Sequence, residues 1–350
     1  MEQNTITDYR LDYIKSDGMT CGMWGLLAPL IVSFALIVLY SILGALTGMT
    51  TAQILAIVPI AYITSVVCEA SFLVVFYLYN KIHKINWVTA SGIKNKTHYL
   101  NYAFAIILGL SLPVFFSSLI GWWEKFLTLI NYQMTDTLGI PLTNIWYLLM
   151  AIIVIGIVPA VCEEFLFRGL ILNALRKMGK WPAVLLSALF FSLMHTSMEQ
   201  LPYTFILGVV IGYVVFETRN IWLGIIIHAC NNSFVVIMLY LQQQMGTTVT
   251  DTSIWVDLGF TVIYTVVGVG VVMLLVYLMK KLSGSNNKTE ISGKIEDNAT
   301  EISNDSYILV DGKTVPAKEV MDKRAKYMLI ATVLIGSLLL IIDLMTSIKF

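Results

Sequence analysis

The chain has 350 residues, of which 57% are hydrophobic and only 13% are charged; its 22 basic and 22 acidic side chains balance, and its mean hydropathy is +0.79. Soluble domains carry about twice that charged fraction. Apolar runs of about 20 residues recur from end to end, which excludes a soluble globular protein and predicts an all-α, polytopic transmembrane helical bundle.

The apolar segments predict about eight or nine membrane helices. They are, in chain order, 24–46, 52–80, 100–121, 144–170, 182–196, 201–217, 221–241, 255–279 and 328–346. All eight tryptophans lie at or just beyond the ends of these segments, as interfacial anchoring predicts. With the N-terminus in the cytoplasm, the inside regions before residue 280 carry ten Lys and Arg, against two outside. This asymmetry predicts a cytoplasmic N-terminus.

Five regions follow from this pattern. They are helices one to three in 1–143, a core of helices four to seven in 144–241, helix eight in 242–280, a polar insert in 281–327 and helix nine in 328–350. We expect the insert to be cytoplasmic and mostly flexible, with a small hairpin at Asp311-Gly312. The first 23 residues lack the pattern of a signal peptide. The four cysteines have no paired spacing, so neither a disulfide framework nor a thiolate zinc site is expected.

Three charges stand inside the fourth segment, in the stretch CEEFLFRG at 162–169. A charged side chain at the bilayer centre costs about 2.5–3.5 kcal/mol, so such groups pair, face a cavity or do chemistry. Glu164 and Arg168 are spaced i, i+4 on one helix face and can form an ion pair that only braces the helix. Glu163 lies about 100° around the helix from Glu164 and cannot share that arginine well. It is therefore either a neutral, hydrogen-bonded side chain or a group poised for proton transfer.

Two histidines lie in apolar segments. Glu163 precedes Gly179, in the turn sequence GKWP, by 16 positions, and His195 follows Gly179 by 16. At 1.5 Å per residue, both lie about 24 Å from the turn on antiparallel helices, hence at one depth. His228 and Asn232 are spaced i, i+4 and share one face of the seventh segment. They could belong to a site or could only form hydrogen bonds between helices.

Other features are less specific. Pro159 removes an amide just before the acids and disturbs that turn. The small-residue pair Gly208 and Gly212 indicates close helix packing.

These side chains suit hydrolysis by an activated water. A carboxylate with a histidine can hold and deprotonate water, and a second histidine with an amide can donate to an oxyanion. The same groups could instead ligate zinc or another divalent metal, with Glu163, His195 and His228 as the ligand set. The chain has no H-E-x-x-H on one helix, which weakens the zinc-protease interpretation. We favour a reaction that requires no cofactor.

The motifs resemble those of the CPBP intramembrane proteases, also called the Abi or type II CaaX prenyl endopeptidase family. That family shows E-E-x-x-x-R, F-x-x-x-H and H-x-x-x-N on successive membrane helices. Here they are EEFLFR at 163–168, FSLMH at 191–195 and HACNN at 228–232. The resemblance covers about 144–241 and leaves out the insert and the last helix.

The resemblance implies a role for each matched side chain. Glu163 would be the general base on water and His195 would help to hold the water. His228 and Asn232 would form the oxyanion hole, with Glu164 and Arg168 in support. The family is often described as metalloproteases, so the resemblance leaves metal dependence open.

The expected substrate is a peptide or membrane protein, such as a prenylated CaaX-box C-terminus or a bacteriocin-like precursor, in peptide maturation or self-immunity. We expect a bacterial plasma membrane, a site reachable from the cytoplasmic side, contact with lipid and no nucleic-acid partner. Two other classes compete with a peptidase. A non-catalytic scaffold or immunity protein would bind a peptide without cutting it, and a proton-coupled transporter would use the same buried acid and histidine.

Overall fold

A computed structural model describes residues 12–134, 142–245, 254–291, 307–310 and 313–348. The protein is almost entirely helical. The helices are α1 (Lys15–Thr47), α2 (Thr51–Leu55), α3 (Val58–Ile82), α4 (Trp87–Ala90), α5 (Tyr99–Leu129), α6 (Ile145–Met178), α7 (Lys180–Leu193), α8 (Leu201–Thr218), α9 (Ile221–Met245), α10 (Ile254–Ile291) and α11 (Ala317–Ser347). A two-stranded antiparallel hairpin, β1 (Tyr307–Val310) and β2 (Lys313–Pro316), precedes α11.

Within the described residues, eight helices are long and apolar enough to cross a membrane, namely α1, α3, α5, α6, α8, α9, α10 and α11. This confirms the predicted polytopic bundle. The segment predicted at 182–196 is the exception, because α7 has only 14 residues. At 1.5 Å per residue it is about 21 Å long, shorter than the hydrocarbon core of a bilayer.

Several predicted boundaries were wrong because helices continue past the apolar runs that revealed them. The first helix begins at Lys15, so Trp24 lies inside it and not at its end. The third segment continues from 121 to Leu129 and the seventh from 241 to Met245. The polar insert is helical at both ends, since α10 reaches Ile291 and α11 starts at Ala317. The predicted hairpin is present as strands, while residues 292–306 and 311–312 lie outside the described part of the chain.

Helix α6 is the centre of the bundle. All seven residues from Leu166 to Leu172 are buried, and α1, α3, α7, α8 and α9 pack around them. Aromatic edge contacts fix α3 against α6: the ring centroids of Phe72 and Phe167 are 6.1 Å apart, and those of Phe76 and Phe165 are 5.4 Å apart. The charged motif therefore stands on the helix that has most neighbours.

Two π-helical stretches interrupt α6, Ile152–Ile157 and Phe165–Leu172. The seven α-helical residues between them, Val158–Glu164, carry Pro159 and both acids. Because proline has no N–H, Pro159 cannot donate to the carbonyl of Ile155 four residues earlier. The predicted disturbance before the acids is confirmed, and a loosened helix of this kind is common at functional sites.

Helices α7 and α8 form an antiparallel pair through two glycines. A Cβ on Gly208 would lie 3.0 Å from the Cα of Ala188 in α7, whereas one on Gly212 would lie 3.5 Å from Val184. The predicted close packing is confirmed, and it is tighter at Gly208. The approach also exposes the Gly208 carbonyl to α6.

Candidate functional site

Arg168 and Glu164 form a fully buried ion pair. Arg168 Nη1 donates to Glu164 Oε1 at 2.6 Å, and both side chains are 0% exposed. Arg168 Nη2 donates to the Gly208 carbonyl at 3.2 Å, and its guanidinium lies 4.4 Å from the centre of the Phe191 ring. The i, i+4 spacing predicted this pair, and the pair anchors α6 to both α7 and α8.

His228 on α9 lies between the two acids. Its Nδ1 is 3.0 Å from Glu164 Oε1, and its Nε2 is 4.0 Å from Glu163 Oε2. Glu164 Oε1 already accepts from Arg168, so it is the acceptor here as well and Nδ1 of His228 donates the proton of this hydrogen bond. Nε2 is therefore the nitrogen that faces Glu163. Gly224, one turn earlier on α9, permits this approach, since a Cβ there would lie 3.0 Å from Glu164 Oε2.

Glu163 is 4% exposed and meets a third acid, Glu69 on α3. The two carboxyl groups lie close enough to interact, and Glu69 Oε2 and Glu163 Oε2 are both buried without a hydrogen-bond partner among the described residues. A carboxylate has no donor, so the two acids can bond to each other only when one of them carries a proton. Glu69 was missed at the sequence level, although it is the only charged residue of the predicted segment 52–80. A lone acid in an apolar run was the signal that could have found it.

His195 lies beyond the end of α7, in a turn, and not on the predicted helix 182–196. Its Nδ1 is 2.8 Å from the carbonyl oxygen of Phe191. A carbonyl can only accept, so Nδ1 carries the proton and Nε2 of the neutral ring is an acceptor. The ring centroid of Phe191 is 5.1 Å from that of His195 and 5.6 Å from that of His228. Phe191 thus brings both histidines to one place, as the sequence grouped them.

Asn232 is engaged with the backbone of α6. Its Nδ2 donates to the Ile155 carbonyl at 3.3 Å, the carbonyl to which Pro159 cannot donate. Its Oδ1 accepts from Asn231 Nδ2 at 3.0 Å, and Asn231 accepts from the Tyr203 hydroxyl. Asn231, which is only 1% exposed, was not among the predicted site residues. Asn232 therefore has a structural role in joining α9 to α6, and its predicted role in the oxyanion hole stays a prediction.

A bound metal does not fit the side chains as they stand. Within the described ranges, no three His, Cys, Asp or Glu side chains converge as a metal would require. Of the predicted set, Glu163 and His228 are 4.0 Å apart, and His195 uses Nδ1 on a backbone carbonyl. We therefore derive no step through a metal.

The arrangement defines a class: a multi-pass membrane protein whose helical bundle encloses acids, histidines and amides around α6. Comparison with known proteins agrees. Residues 144–234 match the family model of the Rce1-like type II CAAX prenyl endopeptidases. The match contains all three motifs, so the resemblance inferred from them is confirmed for that stretch.

A curated relative carries the name "Putative membrane peptidase YdiL" and comes from Bacillus subtilis (strain 168). It is 31% identical to this chain over 145 residues, which is 39% of this chain and 59% of the relative. The chain thus spans less than two thirds of that relative's length. No solved structure matches this chain.

Proposed function

We propose that this protein is an intramembrane endopeptidase of the CaaX-protease-like type that hydrolyses peptide bonds with an activated water and without a metal. The observation that carries the proposal is the buried Glu163 carboxyl 4.0 Å from His228 Nε2, on helices that match the endopeptidase family. The name of the Bacillus relative, a membrane peptidase, supports the same class.

Glu163 acts as the general base. Two hydrogen bonds of about 2.8 Å can join one water oxygen to groups 4.0 Å apart, so a water fits between Glu163 Oε2 and His228 Nε2. The proposal requires that the proton shared by Glu69 and Glu163 resides on Glu69, because only then is Glu163 ionised and able to act as a base. His195 offers Nε2 as a second acceptor to the water. A base, a water and an orienting acceptor are thereby assembled before substrate arrives.

The reaction follows from these positions. Glu163 removes a proton from water, and the resulting hydroxide oxygen bonds to the carbonyl carbon of the scissile peptide. The carbonyl oxygen becomes an oxyanion. Glu163 then delivers the proton to the amide nitrogen as the C–N bond breaks, which releases an amine and a carboxylic acid.

The oxyanion meets His228 and Asn232. The proposal requires a resting His228 ring with protons on both nitrogens, so that Nδ1 donates to Glu164 while Nε2 donates first to the water and then to the oxyanion. Arg168 holds Glu164 in place for this purpose. Asn232 contributes its amide if substrate draws Nδ2 from the Ile155 carbonyl.

We place the protein in a bacterial plasma membrane with its N-terminus in the cytoplasm and its site open to that side. The motivating observation is the excess of Lys and Arg in the predicted inside regions. The substrate class is a peptide or membrane protein, such as a prenylated C-terminus or a bacteriocin-like precursor.

The test is cleavage of quenched-fluorescent peptides, with and without prenyl groups, by purified full-length protein in detergent. Wild type would run beside Glu163→Gln, which keeps the shape but removes the base. The matched control is Glu217→Gln, an acid that pairs with Lys180 and Lys280 away from this cluster. Each protein would be assayed with and without a strong chelator.

Cleavage that is abolished in Glu163→Gln, kept in Glu217→Gln and insensitive to the chelator is the expected result. Cleavage by Glu163→Gln at the wild-type rate would overturn the mechanism. Chelator sensitivity would replace it with a metal site at Glu163, His195 and His228. A Glu163→Ala, His195→Ala variant that still protects cells would favour the non-catalytic immunity function.

A further inference from the structure

The loop between α7 and α8, residues 194–200, carries His195 and is braced from outside the family-matched stretch. Trp123 Nε1 on α5 donates to the Met198 carbonyl at 2.7 Å. Asp343 Oδ2 on α11 accepts from the Met198 N–H at 2.9 Å. Both backbone groups of one loop residue are therefore held by side chains from distant helices.

Asp343 is itself held in place. Its Oδ2 also accepts from the Tyr132 hydroxyl at 2.8 Å. Tyr132 pairs with Ile348 in an antiparallel bridge, and Gln133 N donates to the Ser347 carbonyl at 2.7 Å. The ends of α5 and α11 are thus joined, and the carboxylate stands at their junction with the loop.

Helix α11 also lies directly against the end of α7. A Cβ on Gly336 would lie 3.0 Å from the Leu193 side chain, so a larger residue there would require Leu193 to shift by a few tenths of an ångström. Leu193 is the last residue of α7 and stands two positions before His195. The loop then turns sharply, with Thr196 at φ +48°, a conformation that needs external support in a residue with a branched Cβ.

The two attachments differ in what they can fix. The Phe191 carbonyl sets the tautomer of the His195 ring, but it belongs to the same helix end and moves with it. The bonds at Met198 tie the loop to α5 and α11, which do not belong to the motif helices. If the two hydrogen bonds at Met198 were lost, the loop backbone three residues after His195 would no longer be held by α5 and α11.

From this geometry we propose that α11 is a brace for the proposed active site and that Asp343 is a positioning residue, which fixes the 194–200 loop so that His195 keeps its place beside Phe191. This inference rests on the proposed function. It gives the last helix, which the family match leaves out, a role in that reaction. Displacement of a catalytic group by about 1 Å can cost 100-fold in rate, so a brace of this kind bears on kcat rather than on binding.

The test uses full-length protein and three substitutions. Asp343→Ala removes the acceptor, Asp343→Asn keeps one oxygen acceptor of the same shape, and Met345→Ala is the control. Met345 stands two positions after Asp343 on α11 and is 69% exposed. Two readouts are needed: kcat and KM on a peptide cut by wild type, and hydrogen–deuterium exchange of the peptide containing 194–200.

We expect Asp343→Ala to lower kcat about 10- to 100-fold with KM nearly unchanged and to speed amide exchange in 194–200. Asp343→Asn should recover most of the rate, and Met345→Ala should resemble wild type in both readouts. Recovery by the isosteric variant separates a lost hydrogen bond from a misfolded helix.

Other results would overturn the inference. Faster exchange with an unchanged kcat would show that the loop is braced but that the brace does not position His195. Unchanged exchange in Asp343→Ala would remove the brace itself and leave the proposed function intact. A wild type that cuts no peptide would instead remove the proposed function, while the exchange experiment would still report on the brace.

Discussion

Substitution of Arg168 should lower the free energy of unfolding more than substitution of any other Lys or Arg in the membrane helices. Arg168→Met would take the 2.6 Å partner from the Glu164 carboxyl in a site that is 0% exposed. The bond to the Gly208 carbonyl and the stacking on Phe191 would be lost as well. Breaking one side of a buried pair costs about 3–5 kcal/mol, and Glu164 would keep only the hydrogen bond from His228 Nδ1.

The assay is the free energy of unfolding of detergent-solubilised protein, measured by titration with SDS. Glu164→Gln should cost a similar amount, because it leaves the guanidinium buried without its carboxylate. The double variant Glu164→Gln, Arg168→Met should cost clearly less than the sum of the single changes, since neither charge remains. The coupling should reach at least about 2 kcal/mol.

An exposed ion pair in the same protein supplies the control. Lys125 and Asp257 form an ion pair, and their side chains are 57% and 32% exposed, respectively. Lys125→Met should therefore cost less than about 1 kcal/mol. Equal losses for Arg168→Met and Lys125→Met, or additive effects in the double variant, would refute the view that Glu164 and Arg168 form one buried unit.

Three further predictions concern the packing around α6. Asn232→Leu should lower the free energy of unfolding by about 1–3 kcal/mol, because the Ile155 carbonyl loses its donor. A second substitution, Pro159→Ala, should restore part of that loss, since it gives Ile155 a backbone donor. If the SDS titration shows no rescue, Asn232 has a purely catalytic role. Gly208→Ala should cost about 1–3 kcal/mol while Gly212→Ala costs far less, and equal costs would contradict the close approach at Gly208. Glu69→Gln can still donate to Glu163 and should keep more cleavage activity than Glu69→Leu, so equal rates would remove Glu69 from the site.

Sequence reasoning reached what local geometry determines. The spans follow from apolar length, and the pair Glu164–Arg168 follows from the i, i+4 spacing on a single helix. The contact of Glu69 with Glu163 could not follow in this way, because it depends on which helix packs beside α6.

The position of His195 in a turn could not be predicted from the sequence pattern either. The apolar run continues to residue 196, but α7 ends at Leu193 and places His195 in a turn. That ending depends on tertiary contacts, since Met198 is bonded to Trp123 and Asp343, 75 and 145 residues away. No local signal reports contacts of that range.

The hydrogen bond from Asn232 to the Ile155 carbonyl separates residues that the fold needs from residues that only the proposed reaction needs. Asn232, Glu164 and Arg168 all serve the fold, because Asn232 bonds α9 to the Ile155 carbonyl of α6 and the Glu164–Arg168 pair is buried and bonded to the Gly208 carbonyl of α8. Natural selection for a folded chain would preserve these three even in a descendant that no longer cuts peptides. His195 bonds only the Phe191 carbonyl of its own helix end, and Glu163 Oε2 is buried without a hydrogen-bond partner among the described residues, so we expect substitutions at these two positions to appear first when a lineage loses catalysis.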